Sequence, residues 1–129
     1  GWKGTVRRIA AKTVLRMQRE FGTRPEDVLA AIGPSIGPCC YEVGPEVERQ
    51  FQEAFSGHEA ALFSHPDAVG GTHLSLWAAN RLQLEEIGVL REHIDEARTC
   101  TACHHEDFFS YRADGGQTGR LGAVIALRS

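Results

Sequence analysis

The sequence predicts an α/β fold in which helices pack on a mixed β-sheet, and three segments carry that prediction. From Gly4 to Phe21, the residues Val6, Ile9, Ala10, Val14, Met17 and Phe21 recur at threes and fours. Arg7, Arg8, Lys12, Arg16 and Arg19 fall between them, which is the pattern of an amphipathic helix. Val28 to Ile32 is a brief unbroken apolar run closed by Gly33-Pro34, as expected of a strand buried on both faces. Leu121 to Arg128 is the clearest strand, because small, branched and apolar residues run from Leu121 to Leu127.

The remaining elements follow from local chemistry. Thr5 is placed as N-cap of the first helix and Gly22 as its stop. A turn through Pro25-Glu26-Asp27 leads to the first strand. Gly33 to Gly44 reads as a loop, and helix resumes at Pro45, a favoured first-turn residue. Val47, Phe51 and Phe55 sit four apart and share one face of that helix. Ser56 to Thr72 reads as irregular, broken at Gly70-Gly71. A third helix over Leu74 to Glu86 is expected to bury Leu76, Trp77, Ala79, Leu82 and Leu84 and to end at Gly88. Ile94 to Thr99 suggests another short strand. Few short strands make a poor sheet by themselves, so the chain reads as a single partial domain over residues 1–129.

Composition narrows the function. The 129 residues are 42% hydrophobic, 24% charged and 8% aromatic, an ordinary globular mixture. Fourteen Lys and Arg face 17 Asp and Glu, a net charge of −3, which lacks the basic footprint of a nucleic-acid binder. No apolar run approaches the roughly 18 residues of a membrane span. Cys39, Cys40, Cys100 and Cys103 are too few for a disulfide scaffold at this length, and no secretory segment precedes them. Reduced thiols in a cytoplasmic protein are the expectation.

Three constellations are candidates for chemistry. Gly33 to Gly44 places three Gly and two Pro in a loop beyond a predicted strand, where ligands bind in α/β sheets. It reads equally as a rigid connector whose cysteines fill gaps. A nucleophilic Cys40 requires a positioned His base, and none is near in sequence. Cys100-Thr101-Ala102-Cys103 is half a zinc site on its face. Its separation from Cys39-Cys40 is irregular for a zinc ribbon, adjacent cysteines rarely aim at one metal, and packed or surface thiols are the simpler reading. A CxxC redox pair lacks its usual context. Phe108 to Arg120 places aromatic residues before Arg112 and Arg120 across a Gly-rich turn. Arg suits phosphate and an aromatic face suits a nucleobase, although a polar hairpin turn explains the same residues. His58, His65, His73 and His93 sit at no ligand spacing.

Together, Gly1-Trp2-Lys3-Gly4, the Gly33–Gly44 segment, Cys100–Cys103, Phe108-Phe109-Ser110-Tyr111-Arg112 and Thr118-Gly119-Arg120 resemble the laccase-domain family. This family is also called YfiH-like or polyphenol oxidase, and it includes purine nucleoside phosphorylases related to peptidoglycan editing factor. The resemblance runs through the whole chain and matches the C-terminal half of the family's domain. It implies an α/β fold and zinc-dependent phosphorolysis of adenosine, inosine and methylthioadenosine, with adenosine deamination. The implied partners are purine nucleosides, phosphate and the N-terminal half of the same domain.

The resemblance further implies a zinc held by two His and one Cys, all upstream of Gly1. This chain is then expected to bind no metal and to be inactive alone. An older family label is copper polyphenol oxidase, but no His-rich copper cluster is present. Beside this resemblance, position in Gly-rich loops next to the predicted strand ends suggests substrate-facing roles for Gly33, Ser35, Cys40, Phe109, Arg112 and Arg120, and the helix start at Gly1–Thr5, with the charge of Lys3, suits phosphate. The competing reading is a non-enzymatic zinc-binding or interaction module built on Cys39, Cys40, Cys100 and Cys103. A cysteine hydrolase using Cys40 is a third.

Overall fold

The computed structural model describes residues 1–67 and 69–128. Among these the elements are α1 (Trp2–Val6), α2 (Ile9–Phe21), β1 (Ala30–Ile32), β2 (Glu42–Val43), α3 (Pro45–Ala54), α4 (Glu59–Leu62), β3 (Phe63–Ser64), β4 (Thr72–Leu74), α5 (Leu76–Glu86) and β5 (Ile94–Glu96). Short 3-10 turns at Pro25–Asp27 and Arg91–His93 precede β1 and β5. The α/β class holds. The strands form two small sheets, a parallel pair β1-β5 and an antiparallel triple ordered β2-β4-β3.

The first helix is two helices. Arg8 adopts the left-handed conformation, with φ 57°, and separates α1 from α2. That backbone state costs an L-residue roughly 1–2 kcal/mol. Tertiary contacts offset the cost: the Arg8 guanidinium donates to the Ala54 carbonyl at 2.7 Å, pairs with Glu86, and lies 4.5 Å from the centre of the Phe55 ring. Thr5 is therefore not an N-cap. It lies buried inside α1, whose N-cap is Gly1. Gly22 does close α2, in the left-handed conformation and with its N–H on the Gln18 carbonyl.

Other elements behave as their patterns suggest. Pro45 opens α3, and Phe51 and Phe55 are fully buried on its inner face, stacked 5.8 Å apart. Helix α5 starts two residues later than expected, because Leu74 belongs to β4 and the Ser75 hydroxyl accepts the Ala78 N–H as cap. Ser56 to Thr72 contains α4 and β3 rather than irregular chain alone.

Helix α5 is the spine between two cores. Leu76 and Ala79 join Tyr41, Phe51, Phe55, Leu62 and Leu74 on one side. Leu84 joins Val14, Val28, Val89 and Ile94 on the other. Ala79 and the polar Gln83 are fully buried on its inner face, while Leu82 is half-buried.

Two strand expectations need correction. The Val28–Ile32 run pairs as a strand only from Ala30 and is not covered on both faces, since Leu29 and Ala31 are exposed. Ala30 and Ile32 pack with Val14, Val28 and Leu84, while Leu29 and Ala31 fall on the opposite face of the pleat. The Leu121–Leu127 run forms no strand among the described residues, and Val124, Ile125 and Leu127 are exposed. Composition sets strand preference, but a strand forms only when a partner takes its N–H and C=O groups. No described helix is long and apolar enough to cross a membrane.

Candidate functional site

The parallel pairing of β1 with β5 assembles the site. Its register, Ala30 with Ile94 to Ile32 with Glu96, continues past the strands. Ala97 N–H donates to Ile32 O at 2.9 Å, Ser35 N–H to Thr99 O at 3.2 Å and Thr101 N–H to Ser35 O at 3.1 Å. Parallel strands end on the same side, so the Gly33–Gly44 loop and the Cys100–Cys103 turn emerge together. The Trp77 indole N–H fixes the first loop by donating to the Ser35 hydroxyl at 2.7 Å.

Beside these loops lies an open cavity of about 540 Å³, within the range of small-molecule sites. Trp2 and Thr5 of α1, Ser35 and Tyr41 of the loop, and Asn80 of α5 line it, and Phe109, Ser110, Tyr111 and Arg112 contribute a further wall. The Arg112 guanidinium stands 5.3 Å from the Tyr41 ring centre and donates to the Glu42 carbonyl at 3.1 Å. Burial pushes the Tyr41 phenol up, and the Arg112 charge opposes that shift. The Asn80 amide donates to the Thr5 hydroxyl at 3.2 Å and to the Leu76 carbonyl at 2.8 Å, tying α1 to α5 behind the cavity.

Of the residues singled out in the sequence, Ser35, Phe109 and Arg112 line this cavity. Gly33 sits one residue before the lining Pro34, Lys3 lies with its ammonium 5.8 Å from the Trp2 ring, and Arg120 is exposed beside the lining Leu121. Cys40 belongs to a cluster of thiols and is not among the lining residues. Trp2, Tyr41, Asn80, Ser110 and Tyr111 were not singled out. Trp2, Tyr41, Ser110 and Tyr111 lie inside the quoted motifs, but Asn80 sits on a helix whose pattern signals only packing.

The four cysteine sulfurs lie within 4.8 Å of one another. Cys39 and Cys40 Sγ stand 3.5 and 3.4 Å from Cys103 Sγ, and all four thiols are free. The adjacent cysteines do converge, because a turn closed by Cys40 N–H on Gly37 O curls the chain. Burial disfavours ionisation of Cys100, yet the N–H groups of Gly37, Cys103 and Ala102 aim at its sulfur and lower its pKa overall. Contact with Cys103 and burial push Cys40 up, and burial and the same contact push Cys39 up. Among the described residues this is the one cluster of three or more His, Cys, Asp or Glu with metal-holding geometry. Four cysteines do not match a ligand set of two His and one Cys.

Residues 1–128 match the family model described as multi-copper polyphenol oxidoreductase laccase. The chain is 45% identical over 128 residues to a protein from Bacteroides thetaiotaomicron named purine nucleoside phosphorylase, covering 98% of this chain and 47% of that one. It is 42% identical to one named adenosine deaminase RL5, from an unknown prokaryotic organism, covering 93% of this chain and 45% of that one. The solved structure of the Bacillus licheniformis hypothetical protein YfiH superposes with a TM-score of 0.85 at 38% identity, covering 92% of this chain and 44% of that one. The chain thus spans under half the length of each of these three proteins.

Proposed function

This chain belongs to the multi-copper polyphenol oxidoreductase laccase family, and from that premise we propose that it builds part of the substrate pocket of a purine nucleoside phosphorylase that also deaminates adenosine. The substrates are adenosine, inosine and methylthioadenosine, with inorganic phosphate as second reactant. Polypeptide beyond these 129 residues supplies the zinc ligands, and the chain alone is inactive. The enzyme names of its relatives favour this reading over a non-enzymatic module.

The observation that carries the reading is the lining of the 540 Å³ cavity, which Trp2, Tyr41, Phe109, Tyr111 and Arg112 share, with the Arg112 guanidinium 5.3 Å from the Tyr41 ring centre. Aromatic faces take a purine by stacking. Ser35, Asn80 and Ser110 offer hydrogen bonds to base edges and ribose hydroxyls. Arg112 supplies a planar, permanently charged donor for phosphate. In phosphorolysis a phosphate oxygen bonds to the ribose C1′ as the bond from C1′ to the purine nitrogen breaks, and the purine leaves with the electron pair. These residues hold the base flat, position phosphate against C1′ and exclude water. Lys3 and Arg120 flank the cavity as further cations, and Gly33 and Cys40 belong to the loop that carries Ser35.

The test uses the naturally encoded polypeptide containing this chain. Arg112→Ala is expected to raise the KM for phosphate in inosine phosphorolysis by about 10-fold or more, the worth of one charge-assisted hydrogen bond. Arg120→Ala is expected to show a smaller increase. Unchanged kinetics in both variants remove the proposed roles.

A further inference from the structure

The four converging thiols lie outside the cavity lining, and the proposed reaction makes no use of them. We propose that Cys39, Cys40, Cys100 and Cys103 form a structural zinc site that clamps the Gly33–Gly44 loop to the Cys100–Cys103 turn. This proposal is independent of the phosphorolysis reading.

Geometry is the first support. A tetrahedral zinc with four sulfurs at about 2.3 Å sets its sulfurs about 3.8 Å apart. The thiols stand 3.4 and 3.5 Å apart where measured pairwise against Cys103, and none lies beyond 4.8 Å from another. A disulfide requires about 2.05 Å and joins only two sulfurs. Four soft sulfur donors in a closed set select zinc over hard cations, and leave no open position for chemistry.

The surroundings are the second support. Gly37 N–H donates to Cys100 Sγ at 3.2 Å, the kind of contact that orients and stabilises a metal-bound thiolate. A Cβ at Gly37 would meet the Trp77 ring at 2.7 Å and Cys100 Cβ at 3.2 Å, so only glycine lets that N–H approach. The β1-β5 register fixes one pair of ligands against the other through Ser35 and Cys100. The chain therefore presents a preformed site, with two ligands from each of two loops far apart in sequence.

Binding is a proton-release step without redox change. Each protonated thiol gives its proton to solvent as a sulfur lone pair bonds Zn²⁺. The consequence is mechanical. Ser35 and Tyr41 of the cavity wall ride on the clamped loop, as Thr101 does on the partner turn.

The experiment uses the naturally encoded protein as purified under reducing conditions. Zinc content is measured after desalting, and the Cys103→Ser variant is compared with the parent. Loss of one zinc per chain in Cys103→Ser, with any other bound zinc retained, is the expected result. Cadmium-113 NMR of the cadmium-loaded parent guards against a variant that fails to fold, and is expected to show a resonance in the all-sulfur range. The proposal is overturned by three results: no all-sulfur resonance, four thiols that react freely with a thiol reagent without releasing zinc, or a Cys103 disulfide with Cys39 or Cys40 in the freshly purified protein. Loss of phosphorolysis leaves these readouts unmoved, and their failure leaves phosphorolysis standing.

Discussion

The side-chain oxygen of the fully buried Gln83 accepts the backbone N–H of Ala11 at 3.1 Å. Ala11 is the third residue of α2, and the break at Arg8 leaves its N–H without a helical partner. The Gln83 amide nitrogen in turn faces the Thr5 carbonyl at 3.4 Å and Asn80 Oδ1 at 3.3 Å. One buried amide on α5 thus serves both sides of the break between α1 and α2. Gln83→Leu leaves the buried Ala11 N–H without a partner, while the Thr5 carbonyl still accepts the Arg8 N–H, so a loss of about 1–3 kcal/mol is expected in urea unfolding. A midpoint within error of the parent contradicts this role.

A pH dependence is expected at Glu96. Its carboxylate accepts from Arg81 Nε and Arg98 Nε, each at 2.8 Å, and is almost wholly shielded. The hydrogen bond from Arg81 is the main cause that holds Glu96 below its ordinary value of 4.5, with burial opposing. A depressed folded-state value means stabilisation that is complete above the ordinary value and is lost as pH falls through the folded one. Glu96→Gln should therefore cost about 1–3 kcal/mol near neutrality, and the gap to the parent should close as pH drops below the ordinary value. A gap of constant size in pH-dependent thermal unfolding sinks this assignment.

Much of the fold was legible because local chemistry decided it. The spacing of Phe51 and Phe55, the Pro45 start and the Gly22 stop all rest on residues close in sequence. The break at Arg8 was hidden, because the residues that hold it, Ala54, Phe55 and Glu86, lie far along the chain. Leu121 to Leu127 misled for the converse reason: strand composition is local, but pairing is not. In the site, Phe109, Arg112 and Ser35 stood out by type and by neighbouring glycines. Asn80 did not, because a polar residue on a helix usually marks the solvent face. Convergence of the adjacent Cys39 and Cys40 depended on a turn that spacing does not encode.

Gly119 offers a test of the aromatic wall. A Cβ there would meet the Phe109 ring at 2.7 to 2.9 Å, so the ring must move. Gly119→Ala in the naturally encoded protein is expected to raise the KM for inosine by about 3- to 10-fold, the scale of one stacking contact. Its kcat and its thermal unfolding midpoint should change little, since Phe109 is more than half exposed. An unchanged KM shows that the ring does not contact the base.

The most direct measurement is a crystal structure of the naturally encoded protein soaked with inosine or hypoxanthine together with phosphate. Purine density stacked among Trp2, Tyr41 and Phe109, with a phosphate within hydrogen-bond reach of Arg112, is the expected result. Purine density at any other site, with this cavity free of base and phosphate, contradicts the proposed function.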